Sequence, residues 1–131
     1  MPELDVLTLG MMMGEVAPPR LGLRVGEAER LVLFPSGSAT IFAMALARLG
    51  GRVGLISRIG DDELGAWMRQ SLARAGIDTA AVTAVPGQLT PLALASIDER
   101  GDKSFSYYRF PETCDPLATL RAEEIGDDVL R

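Results

Sequence analysis

Residues 34–51, FPSGSATIFAMALARLGG, decide the fold because they join a strand end, a tight Ser-Gly-Ser turn and an unusual helix. The apolar spacing predicts a helix over 38–49, closed by a Gly-Gly pair. The hydroxyl of Ser36 or Ser38 is suited to cap the first turn, and Gly50 suits the left-handed position at the end. The stretch therefore predicts a complete helix with both ends marked.

This helix has almost no polar side chains, since only Thr40 and Arg48 interrupt the apolar run that follows its first residue. A helix that is apolar on every face is expected to be buried on several sides. Short apolar runs at 4–10 and 51–57 flank it and are typical of buried strands. Strand, helix and strand in this order predict a right-handed βαβ unit with a parallel sheet.

A second helix of a different kind is predicted over 61–75. Its apolar residues form one stripe, which indicates a surface helix: Leu64, Trp67, Met68, Leu72 and Ala75. Asp61 or Asp62 is placed to cap its start, and Gly76 ends it. A further strand is expected over 79–85, before a Pro-Gly turn signal.

Two separate patches alternate loosely between apolar and polar residues. Residues 20–34 are interpreted as two short strands, and residues 89–98 and 103–110 as a hairpin. Strands avoid leaving their edges unpaired, so we expect the two patches to pair into one small sheet beside the core. The tail, 115–131, is expected to hold short helical turns and no strand.

Composition bounds the function. The chain has 131 residues, 47% hydrophobic, with 13 basic and 18 acidic residues and a net charge of −5. No basic cluster occurs, so nucleic-acid and anionic-membrane partners are not expected. Without histidine, His-based triads and His-ligated metal sites are excluded. One cysteine, no visible signal peptide and no long apolar run indicate a cytoplasmic protein.

Three motifs are candidate sites, each with a structural alternative. Residues 36–38 could offer backbone N–H groups to an anion or hydroxyl, or could simply turn the chain into a buried helix. The acidic residues 61–63 could bind Mg²⁺, or could cap the second helix. Alternation along 105–109 places Phe105, Tyr107 and Arg109 on one face, where a hydroxyl and a guanidinium suit a small polyhydroxylated or carboxylate ligand. The alternative is an ordinary exposed sheet face.

A set of segments, taken in order, resembles the N-terminal part of the ribokinase-like, PfkB family of carbohydrate kinases, with 2-keto-3-deoxygluconate kinases as the nearest members. The segments that carry the resemblance are Ser36-Gly37, residues 43–50, 60–65 and 72–78, Thr90, and Tyr107-Tyr108-Arg109. The resemblance implies an α/β fold with a partial three-layer core and parallel strands. It also makes the patches at about 20–34 and 89–110 a small β-sheet lid over the sugar.

The resemblance also implies ATP-dependent phosphorylation of a sugar or keto-sugar acid, with Mg²⁺. Gly37, Tyr107, Arg109 and Glu15 would contact the substrate, and the catalytic base would lie in a C-terminal, ATP-binding half. That half is expected to be absent from residues 1–131, so the isolated chain is expected to be inactive and to bind no cofactor or metal by itself. A homodimer through the lid is a further expectation. The rival hypothesis is a degenerate, non-catalytic sugar-binding or assembly module, favoured by Ile41 where the family has a substrate-binding Asn.

Overall fold

A computed structural model describes residues 3–108, 115–127 and 129–130. The strands are β1 Val6–Leu9, β2 Met13–Ala17, β3 Val32–Ser36, β4 Val53–Gly60, β5 Val82–Val85, β6 Leu92–Ile97 and β7 Lys103–Tyr108. The α-helices are α1 Ser38–Arg48 and α2 Glu63–Arg74, and short 3₁₀ helices span Val25–Glu27, Pro116–Thr119 and Ala122–Glu124. In the described part of the chain, neither α-helix is long and apolar enough to cross a membrane.

The core sheet is parallel and has the order β1-β4-β5. The predicted strands β1 and β4 do pair in parallel, and α1, which lies between them in the sequence, packs against both. Two strands of the second sheet, β2 and β3, come between β1 and α1 in the chain. Side chains of both α-helices and of β4 meet in one buried cluster that includes Ala43, Leu55 and Met68. Four residues of the stripe predicted for α2 thus face the core, whereas the fifth, Ala75, follows the helix and is exposed.

The prediction that α1 is buried on several sides is wrong for the described residues. Ala39, Thr40 and Ala43 are buried, but Ile41 and Phe42 are 55% and 51% exposed. The helix contacts β1, β3 and β4, which together cover one face. Ile41 and Phe42, on the other face, therefore stay about half exposed.

The capping predictions have mixed outcomes. Gly37, and neither Ser36 nor Ser38, is the N-cap residue of α1, and no side chain caps this end. The Ser36 hydroxyl is turned instead toward β2. Gly50 does adopt a positive φ of 87° after the end of α1, as predicted. Asp62 caps α2 by accepting a hydrogen bond from the Gly65 N–H at 2.7 Å.

The second sheet has the order β3-β2-β6-β7. The two patches do share one sheet, as expected, but β2 lies between them and separates β3 from the hairpin. Residues 20–31 form a turn and a 3₁₀ helix, so the predicted first strand of that patch is absent. The β6–β7 hairpin is antiparallel as predicted.

An arginine of the core sheet bonds to the tail. Arg58 of β4 donates to the backbone oxygen of Thr119 at 3.0 Å and to its hydroxyl at 2.7 Å, and forms an ion pair with Glu124. The hydrogen bond from Arg58 lowers the pKa of the Glu124 carboxyl. Among the described residues of the tail the structure has 3₁₀ turns and no strand, as predicted.

Candidate functional site

The head of α1 is built by close backbone packing. Gly37 has φ 104°, and a Cβ there would collide with the backbone oxygen of Met11. A Cβ on Gly10 would lie 2.5 Å from the Cβ of Ala39. Two glycines thus allow the segment between β1 and β2 to lie directly against the first turn of α1.

Glu15 projects from β2 beside this helix head. Its Oε2 accepts a hydrogen bond of 2.8 Å from the Ser36 hydroxyl, and its Oε1 lies 3.5 Å from the ammonium nitrogen of Lys103. The Glu15 side chain is only 13% exposed, whereas that of Lys103 is 47% exposed. Because an ionised carboxylate offers about four lone-pair positions, these contacts leave others free to accept hydroxyl hydrogens.

A row of residues crosses one face of the second sheet, and two of them, Glu15 and Phe34, line the candidate site. Phe34, Glu15, Ala93 and Tyr107 are successive register partners on β3, β2, β6 and β7, so they share one face. The Tyr107 ring stacks on Phe105 with 5.6 Å between centroids. The predicted alternation is confirmed for the described residues of β7. Arg109 lies outside the described residues.

The site is a cleft of about 410 Å³ between this face and the head of α1. Its lining combines the carboxylate of Glu15 and the hydroxyl of Ser36 with cations and apolar side chains, namely Arg20, Lys103, Phe34, Ile41 and Ile97. A concave, mostly apolar surface with a few convergent polar groups is typical of small-molecule sites. Such a cleft can hold a hydroxylated ligand through Glu15.

A larger cleft of about 750 Å³ lies at the β6–β7 turn. Exposed charged residues line much of it, including Arg24, Glu99 and Arg100. It contains neither the Glu15 carboxylate nor the head of α1. The smaller cleft is therefore the better candidate site.

Among the acidic residues 61–63, the carboxylate of Asp62 has a structural role. Both carboxylate oxygens of Asp62 accept hydrogen bonds, Oδ1 from the Gly65 N–H and the Thr90 hydroxyl, and Oδ2 from the Thr90 N–H, each at 2.7 Å. Over residues 3–108, 115–127 and 129–130, no group of three His, Cys, Asp or Glu side chains could hold a metal ion. The capping interpretation of this motif is confirmed.

Sequence reasoning selected Glu15, Gly37 and Tyr107 but missed Ser36 and Lys103 as partners of Glu15. The structure brings Glu15 to Ser36 and Lys103, and it places Tyr107 on the same sheet face. These partners were missed because β2 was not predicted as a strand. Gly14 and Glu15 interrupt its apolar pattern. With β2 recognised, its pairing with β3 would have brought position 36 close to position 15.

Comparison with known proteins gives a consistent result. Residues 4–117 match a profile described as pfkB family carbohydrate kinase. A fructokinase-1 of Oryza sativa subsp. japonica is 33% identical over 114 residues, which are 87% of this chain and 35% of the relative. The crystal structure of a PfkB protein from Polaromonas sp. JS666 is 28% identical, with a TM-score of 0.83 over 98% of this chain and 42% of that one.

A third match is an E. coli structure described as a ribokinase II type protein in complex with ATP and Mg²⁺. It is 25% identical, with a TM-score of 0.79, over 98% of this chain and 40% of that one. The chain thus spans less than half the length of each of these three proteins. These neighbours identify the two-sheet α/β architecture as ribokinase-like.

Proposed function

Because this chain belongs to the pfkB family of carbohydrate kinases, we propose that it supplies the sugar-binding part of an ATP-dependent kinase that phosphorylates a sugar or keto-sugar acid hydroxyl. The observation that supports this most is the Glu15 carboxylate, held by Ser36 and Lys103 in a cleft at the head of α1. A nearly buried carboxylate beside apolar walls suits hydrogen bonding to sugar hydroxyls. The second sheet would then act as the lid.

The proposed substrate contacts are Glu15, Gly37, Tyr107 and Arg109. Glu15 would accept hydroxyl hydrogens, and the backbone of Gly37 at the head of α1 would contact a substrate hydroxyl. Tyr107 would contact the sugar from the exposed lid face. A guanidinium at Arg109 would suit a carboxylate substituent in bidentate fashion. Fixed positioning of this kind is what phosphoryl transfer most requires of a protein.

We propose that ATP and Mg²⁺ act in the complete enzyme on residues outside this chain. The acidic residues 61–63 do not fit a magnesium site, since both carboxylate oxygens of Asp62 already accept hydrogen bonds. Mg²⁺ bound to ATP would neutralise phosphate charge during transfer. The family's catalytic base also belongs to the proposed remainder, so residues 1–131 alone are expected to be inactive.

The test is a kinase assay on the complete translated product of the gene. It should consume ATP with at least one member of a panel of ketoses and keto-sugar acids that includes D-fructose and 2-keto-3-deoxygluconate. The rice relative's name makes fructose the first member to try, and the sequence resemblance makes the keto-deoxy acid the second. If the product consumes ATP with no member of the panel, the proposal is contradicted. Residues 1–131 alone, assayed in parallel, should show no turnover.

A second candidate is a non-catalytic sugar-binding or assembly module. It is favoured by Ile41, which lines the cleft at the head of α1 and cannot hydrogen-bond a hydroxyl. This candidate predicts that the complete product binds a panel sugar in calorimetry, or forms homodimers through the lid in sedimentation, without ATP consumption. Turnover of any panel sugar would exclude it.

A further inference from the structure

The Ser36–Glu15 hydrogen bond joins two structural elements at the site. Ser36 is the last residue of β3, directly before the Gly37 turn, and is 4% exposed. Its register partner is Met13, whereas Glu15 pairs with Phe34, so Ser36 and Glu15 are diagonal neighbours across the strand pair. A diagonal gap of roughly 7–8 Å between backbones needs a long side chain to close it.

The length of Glu15 is what allows the contact. Its carboxylate reaches the Ser36 hydroxyl at 2.8 Å. An aspartate at position 15 is one methylene shorter and would fall short of this hydroxyl with the same backbone. Glu15 and Ser36 therefore form a matched pair, in which the hydroxyl of one residue suits the reach of the other.

The contact also fixes the direction of the carboxylate. Ser36 donates to Oε2 while Lys103 lies near Oε1, so the group is restrained on both oxygens. The Ser36 contact is the shorter and is nearly buried, whereas the Lys103 ammonium is half exposed and screened by water. Ser36 is thus the stronger restraint on Glu15.

We propose that Ser36 is a positioning residue for sugar recognition, which holds the Glu15 carboxylate in the orientation that accepts substrate hydroxyls. The inference rests on the proposed function. A carboxylate already ordered in its binding orientation loses less rotamer freedom when the sugar binds, so the benefit appears as affinity for the sugar. Ser36 itself need not touch the substrate.

The test is steady-state kinetics of Ser36→Ala in the complete translated product. We expect the KM for the sugar to rise about 5- to 20-fold, a loss of roughly 1–2 kcal/mol at 1.4 kcal/mol per tenfold. The KM for ATP and kcat should stay within about twofold. The control is Ser104→Ala, since Ser104 is an exposed serine on the opposite face of the same sheet. This change should leave both KM values and kcat unaltered.

Two further variants keep the test decisive. Ser36→Gly removes the same hydroxyl and takes the place of Ser36→Ala if the alanine variant folds poorly. It should raise the KM for the sugar by the same factor. Glu15→Asp should weaken sugar binding by itself. In the Glu15→Asp background, removal of the Ser36 hydroxyl should cause no further change in the KM for the sugar. Additivity in the double variant Glu15→Asp/Ser36→Gly would contradict the matched pair.

The outcomes separate the two proposals. A product that phosphorylates no panel sugar overturns the proposed function. The other outcome is an active product whose Ser36→Ala and Ser36→Gly variants have the same KM for the sugar as the Ser104→Ala variant. That result overturns the positioning role and leaves the kinase proposal standing.

Discussion

Gly37 has two separate reasons to be glycine. Its backbone, at φ 104° and ψ 139°, lies in a region that other residues seldom enter. The Met11 backbone oxygen also occupies the space that a Cβ would need. The turn between β3 and α1 therefore depends on this position for both conformation and close packing.

We predict that Gly37→Ala lowers the free energy of unfolding by roughly 2–4 kcal/mol, measured by urea denaturation. Gly50→Ala is the matched control, because Gly50 also has a positive φ, 87°, but has open space around the missing Cβ. It should cost only about 1–2 kcal/mol, from backbone strain alone. Equal losses in the two variants would mean that the approach of Met11 to Gly37 is unimportant.

At the scale of elements, β1 and β4 are tied together near their starts by an ion pair. The Arg52 guanidinium donates to both oxygens of Asp5, at 2.7 and 3.2 Å, and the Arg52 N–H donates to the same carboxylate at 2.8 Å. These hydrogen bonds lower the pKa of Asp5 to about 2. A carboxyl group whose pKa is lower in the folded than in the unfolded protein stabilises the fold at pH values above the unfolded pKa. This stabilisation is lost as the pH falls through the folded pKa.

We predict that Asp5→Asn is less stable than the wild type at pH 6 and that the difference shrinks as the pH falls from about 4 to about 2. Thermal unfolding over this range measures it. The pair is exposed, so added salt should also narrow the gap at pH 6. Asp102→Asn, in the exposed β6–β7 turn, is the matched control for the loss of one carboxylate. A stability difference that is constant with pH would exclude the ion pair as its cause.

At the scale of the whole molecule, Thr90 connects the two sheets. Its hydroxyl accepts from the N–H of Gly60 at the end of β4 and donates to Asp62 at the start of α2. Thr90 is buried and stands just before β6 of the second sheet. The core sheet, α2 and the second sheet therefore share one hydrogen-bonded junction.

We predict that Thr90→Val lowers the free energy of unfolding by about 1–3 kcal/mol, because the isosteric change leaves the Gly60 N–H without its acceptor. Hydrogen exchange of the β6 amides should accelerate more than that of the β4 amides, since the junction anchors the second sheet. Thr83→Val, on the exposed side of β5, should stay within about 0.5 kcal/mol. If the β6 amides exchange at the same rate in Thr90→Val as in Thr83→Val, the junction does not anchor β6.

Local features were predictable from sequence. The two helices, the Asp62 cap, the Gly50 end and the β6–β7 hairpin all depend on residues within a few positions of one another. The choice between capping and metal binding at 61–63 was harder. It was decided by Thr90, which lies far along the chain from Asp62.

The sequence by itself determined the helices, most strands and the parallel core, because hydrophobic periodicity and capping chemistry act between near neighbours. Only the tertiary structure decided that β2 lies inside the second sheet, that Ser36 holds Glu15 instead of capping α1, and that Ile41 and Phe42 remain exposed. Each of these depends on pairing or packing between residues distant in sequence. Such contacts follow from how the elements fit together in space, and no local pattern along the chain encodes them.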